Sequence, residues 1–193
     1  MKWTHWILYL ICLPWDLLVG WPIVIGIRLF WGEKLRRETP PPYDYWKGGG
    51  GGWCLTTQFK PGARPVNEGG WYWRKKTKRP WGGTTLGHAI FYGPNGRKDE
   101  GWSRTQAHEH IHVEQFEVAM LRSFFVGLLV GIVLLALGHY WWALGLFLGI
   151  WTTGYLLMGA AGWLTAILRG EEAYHGATHE ESARAQDDSL MED

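Results

Sequence analysis

Charge is what the second half of this chain lacks. From Ser123 to Leu168, 46 consecutive residues contain no Asp, Glu, Lys or Arg. Soluble amphipathic helices keep a charged face, so a run of this length excludes an ordinary water-facing bundle. Cysteine is scarce as well. Cys12 and Cys54 are the only two, and Cys12 sits inside an apolar run, which excludes a disulfide-stapled secreted module. The five glycines Gly48 to Gly52 lack the Gly-Lys-Ser/Thr ending of a phosphate loop, so they support no nucleotide site. No small-residue cleavage site follows the N-terminal apolar run, so a removed signal peptide is not expected. With 47% hydrophobic residues, 15 Trp and 27 Gly, the chain is no disordered polymer either. Its averages, a net charge of +1 and a mean hydropathy of −0.15 over 193 residues, describe a mildly polar protein and fit almost no part of it.

A transmembrane helix needs about 20 predominantly apolar residues to cross roughly 30 Å of hydrocarbon. The uncharged run holds two, broken at Gly138-His139-Tyr140, so a tight hairpin over 121–138 and 141–168 is expected. Gly127 and Gly131, and Gly145 and Gly149, repeat a small-xxx-small spacing that lets helix backbones approach closely. Trp141 and Trp142 at the turn suit an interfacial aromatic belt. A second apolar region runs from Trp3 to Trp31, interrupted by Pro14, Asp16 and Pro22. It reads as one kinked transmembrane helix, or as a short interfacial helix leading into a span at about 15–31. Asp16 is expected to cap the helix that restarts after Pro14-Trp15, with an intramembrane functional acid as the alternative.

Charge reappears on either side of the hairpin with opposite signs. Residues 32–121 carry 14 Lys/Arg against 9 Asp/Glu, and residues 170–193 carry eight acids against Arg184. A basic excess close to the spans predicts that this side faces the cytoplasm. Pro40-Pro41-Pro42 and Gly48 to Gly52 mark 38–52 as a linker. Residues 53–59 and Thr84–Tyr92 have strand character, the second bounded by Gly82-Gly83 and by Gly93-Pro94-Asn95-Gly96. Between them, Trp71, Tyr72, Trp73 and Trp81 interleave with Arg74, Lys75, Lys76, Lys78 and Arg79. Beside membrane helices this segment is read as a contact for anionic headgroups, ahead of a solvated loop and of a nucleic-acid surface.

The segment from Ser103 to Glu117 has no Gly or Pro and reads as helix, with Ser103 as its cap. It contains His108-Glu109-His110-Ile111-His112, an HExxH motif. Residues four apart lie one turn above each other, so His108 and His112 can ligate one Zn²⁺. Glu109, one step around, reaches the open position of that metal and can take a proton from water there. His110 lies about 200° around the helix from His108 and is expected to pack or to support the site from behind.

The third ligand must come from elsewhere. After His112 the metzincin extension fails, because Val-Glu-Gln-Phe-Glu supplies neither its Gly nor its third His. Downstream, Glu180-x-x-Ala183 offers an acid with a small residue one turn on. Glu181 competes with Glu180, and His175 and His179, four apart, could form a separate weak site. The chain resembles a zincin of the gluzincin type. It is most similar to small bacterial proteins with a Leu-Gly-His strand, an HExxHVxQ helix and a later Tyr…ExxA segment. Here these are Leu86-Gly87-His88, His108 to Gln115, and Tyr174 with Glu180 and Ala183. The likeness covers residues 84–118 and 170–186 and leaves the first 80 unexplained. It implies that His108, His112 and Glu180 hold zinc, with Glu109 as general base. His88 and Tyr174 are further candidates for contact with the reacting centre. The apolar hairpin between the two site helices departs from the family pattern.

The expected fold is an α+β membrane protein with about three transmembrane helices, the N-terminal segment plus the hairpin. A small zincin-like polar domain would carry two site helices that extend the hairpin. The segments are 1–31 (membrane), 32–83 (Pro/Gly-rich, basic and aromatic), 84–120 (strand and HExxH helix), 121–168 (hairpin) and 169–193 (ExxA helix and acidic tail). The expected function is that of a membrane-anchored zinc metallopeptidase, with the lipid bilayer and a peptide or protein substrate as partners and no nucleic acid. The alternative is a non-catalytic scaffold or pore-like hairpin with a structural metal or none.

Overall fold

The structure, a computed structural model, describes residues 3–30, 35–38, 54–58, 83–93, 104–171, 180, 181 and 183. The linker at 38–52, but for Glu38, the aromatic-basic segment Trp71 to Trp81, Ser103, Tyr174, His175 and His179 lie outside the described residues. The chain divides into two units. One comprises Asp16–Val113, the other Met1–Trp15 with Glu114–Asp193.

In the first unit, a π-helical turn, Asp16–Gly20, leads into α2, Trp21–Phe30. It follows α1, Trp3–Trp15, so the N-terminal apolar region is a single helical run whose middle is wound more loosely. Pro14 and Pro22 flank the loosened turn, and each removes one ladder donor from the helix. Four strands follow: β1 (Arg36–Glu38), β2 (Cys54–Gln58), β3 (Gly83–Leu86) and β4 (Ala89–Tyr92), ordered β1-β2-β4-β3 across one sheet. β2 and β4 are parallel, and both outer pairings are antiparallel.

Thr84–Tyr92 is therefore not one strand, as the sequence suggested, but a hairpin turning at Gly87-His88. Gly87 has φ +65°, the left-handed conformation a two-residue hairpin demands at its first central position, and only glycine takes it without strain. Because the apolar residues flank this turn on both sides, the turn was hidden inside what read as a continuous strand. β1 was not anticipated: its Arg-Arg-Glu sequence carries no strand signal, and pairing with β2 makes it one.

Strand alternation gives the sheet two faces. Cys54, Ile90, Tyr92 and Val113 form a buried core on one of them, so this face looks at the start of α3, the helix Arg104–Ala136. Gly83 and Thr85 stand opposite Tyr92 and Ile90 in register and share that face. The other face meets α2 and the π-turn. A Cβ at Gly20 would touch the Leu86 carbonyl at 2.7 Å and the Ala89 side chain at 3.4 Å, so glycine is what lets turn and sheet approach.

In the second unit, α3 forms an antiparallel hairpin with α4, Tyr140–Leu168. Gly138, at φ +80°, ends α3, and His139 N–H donates to the Leu134 carbonyl at 2.8 Å in a Schellman closure. Gly127 and Gly131 face Phe147 and Ala143 of α4, as their spacing predicts. Gly145 and Gly149 do not take part. Their α-carbons face open space, and Gly154, set against Ser123, provides the close approach on α4 instead. A helix turns about 100° per residue, so the glycine spacing marks a thin stripe without saying which way it faces. α1 belongs to this unit: Trp15 stacks edge-on with Tyr155 and tilts against Phe116, and Trp151 Nε1 donates to the Ile11 carbonyl at 3.0 Å.

Among the described residues three helices are long and apolar enough to cross a membrane: Trp6–Leu29, Thr105–Ala136 and Tyr140–Leu168. Their exposed side chains include Leu10, Leu129, Leu137, Leu157 and Leu168, which water would not favour. α4 ends at Leu168, where Gly170 at φ +74° and Glu171 N–H to the Ala166 carbonyl repeat the Schellman stop. The second site helix is thus not a continuation of α4, contrary to expectation, because glycine in this conformation ends a helix. The first site helix does continue: α3 runs without a break from the HExxH motif into the hairpin.

Candidate metal centre

The HExxH motif occupies the first turns of α3, where no Gly or Pro interrupts helical spacing. His108 and His112 lie one turn apart with Nε2 atoms 3.2 Å from each other and rings perpendicular. Two imidazole nitrogens bound to one zinc at 2.0–2.1 Å and a tetrahedral angle stand about 3.3 Å apart. The observed separation also serves one ring donating to the other, so the pair alone does not decide between the two. A carboxylate joins it. His108, His112 and Glu180 each present a ligand atom, all within 4.8 Å of one another, forming a His/Glu group that can hold a metal ion. Two neutral imidazoles and one carboxylate are a donor set that zinc accepts.

Glu180, Glu181 and Ala183 are helical. Glu180 and Ala183 are buried, three residues apart on one face. Glu181, about 100° around, is half-exposed and lies 3.5 Å from Arg169 Nη1. Of the two competing acids, the fold buries Glu180 and gives Glu181 to solvent.

The other histidines of this region face elsewhere. His110 is buried, with Nδ1 3.9 Å from Cys54 Sγ, in agreement with a packing role on the sheet side of α3. His88 is fully buried in the β3–β4 turn. Its Nδ1 lies 2.6 Å from Asp16 Oδ2, and its backbone N–H donates to Asp16 Oδ1 at 3.0 Å. Asp16 therefore does not cap a helix, as expected from its place after Pro14-Trp15; both its oxygens serve the hairpin turn. A buried carboxylate in a π-turn satisfies more polar groups there than at a helix end exposed to solvent.

Glu109 is buried beneath β3. Its Oε2 lies 2.7 Å from Thr85 Oγ1, which is also 3.0 Å from the Glu109 backbone carbonyl. A Cβ at Gly83 would come within 2.8 Å of Glu109 Oε1. Gly83 and Thr85 thus shape the seat of this carboxylate, and neither stood out in the sequence. The available signal was their two-residue spacing on the strand preceding the HExxH helix. Gly83 read only as a boundary.

No protein-family description, curated protein or solved structure matches this chain.

Proposed function

We propose that the protein is a membrane-anchored, zinc-dependent peptidase that hydrolyses peptide bonds at the membrane surface. The observation that carries this reading is the convergence of His108, His112 and Glu180 on one small volume, with Glu109 adjacent in the same motif. In this reading those three residues hold Zn²⁺. Zinc in such a site polarises a carbonyl and makes water a stronger acid. Glu109 takes a proton from the attacking water and passes it to the leaving amine. Among the described strands β3 lies at an edge of the sheet, directly over Glu109. An extended substrate adds to that edge by backbone hydrogen bonds, which brings a peptide group to Glu109 whatever the side chains around it. In this reading the lipid bilayer and a peptide or protein substrate are the partners, and the basic excess of 32–121 supports the cytoplasmic face.

Two measurements test this on the full chain purified in detergent without chelator. Zinc should be present at close to one ion per chain; protein with less than about 0.2 would favour a non-catalytic scaffold. Glu109→Gln should keep zinc and abolish cleavage of an unstructured peptide pool. Cleavage that survives this substitution rules out the assigned mechanism.

A further inference from the structure

We propose that Thr85 is a positioning residue that holds the Glu109 carboxylate, with Gly83 as the complementary gap into which that carboxylate fits. The inference rests on the peptidase reading for its catalytic consequence, but its geometric content stands apart from it. Thr85 projects from β3 on the face turned toward α3, as strand alternation requires from its register opposite Ile90. It is buried, and its hydroxyl has one proton to donate. Of the two acceptors within reach, the side-chain Oε2 at 2.7 Å is closer than the Glu109 backbone carbonyl at 3.0 Å. Threonine is stiff at χ1, so the donor is aimed before Glu109 arrives. Gly83, two residues earlier on the same face, leaves space that a methyl group would take from Oε1, Cγ and Cδ of Glu109. One strand residue therefore pulls the carboxylate and the other makes room for it.

The strand itself is fixed. The turn that follows β3 is tied to Asp16 through the His88 backbone and ring, and the Leu86 carbonyl is pressed against Gly20. A rigid strand is what a hydroxyl must stand on to hold a reacting group to within a fraction of an ångström. In this arrangement the N-terminal apolar segment contributes to the geometry of Glu109 through the hairpin and is more than a tether.

The test uses the full chain in detergent and reads both thermal midpoint and kinetics. Thr85→Val keeps the shape and removes the hydroxyl, and Glu109→Met removes the acceptor. If the contact exists, the two midpoint losses fail to add by on the order of 2–4 °C. Additive losses overturn the proposal, whether or not the protein cleaves peptides. In active protein, Thr85→Val should lower kcat about 10–100-fold at nearly unchanged KM and zinc content, and Thr85→Ser should restore most of it. Gly83→Ala leaves Thr85 intact yet crowds Oε1, Cγ and Cδ of Glu109, so kcat should fall, with a drop in thermal midpoint as the carboxylate is pushed off Thr85. It also serves should Thr85→Val fail to fold. Wild-type kcat in either variant, beside an inactive Glu109→Gln, would remove the positioning role. Absence of cleavage in the wild-type chain together with a non-additive cycle would instead overturn the peptidase reading and leave the contact standing.

Discussion

Glu180 and Glu181 are identical in chemistry and adjacent in sequence, and the fold treats them oppositely. Glu180 is 4% exposed and stands within reach of the histidine pair; Glu181 is half-exposed beside Arg169. An exposed ion pair of the second kind contributes about 0–1 kcal/mol. Substituting Glu181 by Ala should therefore leave zinc affinity unchanged. Glu180→Ala should weaken it at least 100-fold, more than the roughly 10–100-fold typical of residues that only support a ligand. Competition with a colorimetric chelator measures both, and equal affinities in the two variants would remove Glu180 from the site. At this scale the motif was legible. HExxH brings its own two histidines together because helix geometry alone places residues four apart side by side. Thr85 was not legible, since a threonine in a strand looks the same whether it meets a carboxylate or a methyl group.

Elements are where sequence and structure part most clearly. The hairpin β3–β4 depends on Gly87 at φ +65° and on Asp16, 72 positions from its partner His88. Nothing in either neighbourhood names the other. An acid in an apolar run and a histidine in an apolar strand were two separate oddities that answer each other only once folded. Removing Asp16 leaves the buried His88 backbone N–H and ring nitrogen without their partner, which costs about 1–3 kcal/mol for each group. Asp16→Leu should thus lower the thermal midpoint by on the order of 10 °C. Asp16→Asn, which keeps an oxygen for the His88 N–H, should lose less. A midpoint unchanged in Asp16→Leu would mean that the pair does not hold the hairpin in place. The hairpin of α3 and α4 was easier to foresee. Absence of charge marks it, and a glycine at the one position that needs a left-handed residue marks its turn. The glycine pairs marked it only by half, because spacing shows a stripe and packing decides which stripe is used.

At the scale of the whole molecule, the exposed leucines of the long helices are compatible with a membrane around them. The protein should stay with the membrane pellet through an alkaline carbonate wash; recovery in the supernatant would contradict membrane insertion. An arginine in place of Leu129, exposed near the middle of the uncharged part of α3, should impair insertion by about 2.5–3.5 kcal/mol, read as a loss of membrane-resident protein. The sequence by itself determined where the long apolar helices lie, where they turn and which helix carries the histidine pair. Those properties depend on composition and on spacings shorter than two helical turns. Only the tertiary structure decided which acid faces the histidines, what seats Glu109 and what Asp16 is for. Each of those is a meeting of residues far apart in sequence, and such meetings are set by how strands register and how faces pack, which no local pattern encodes.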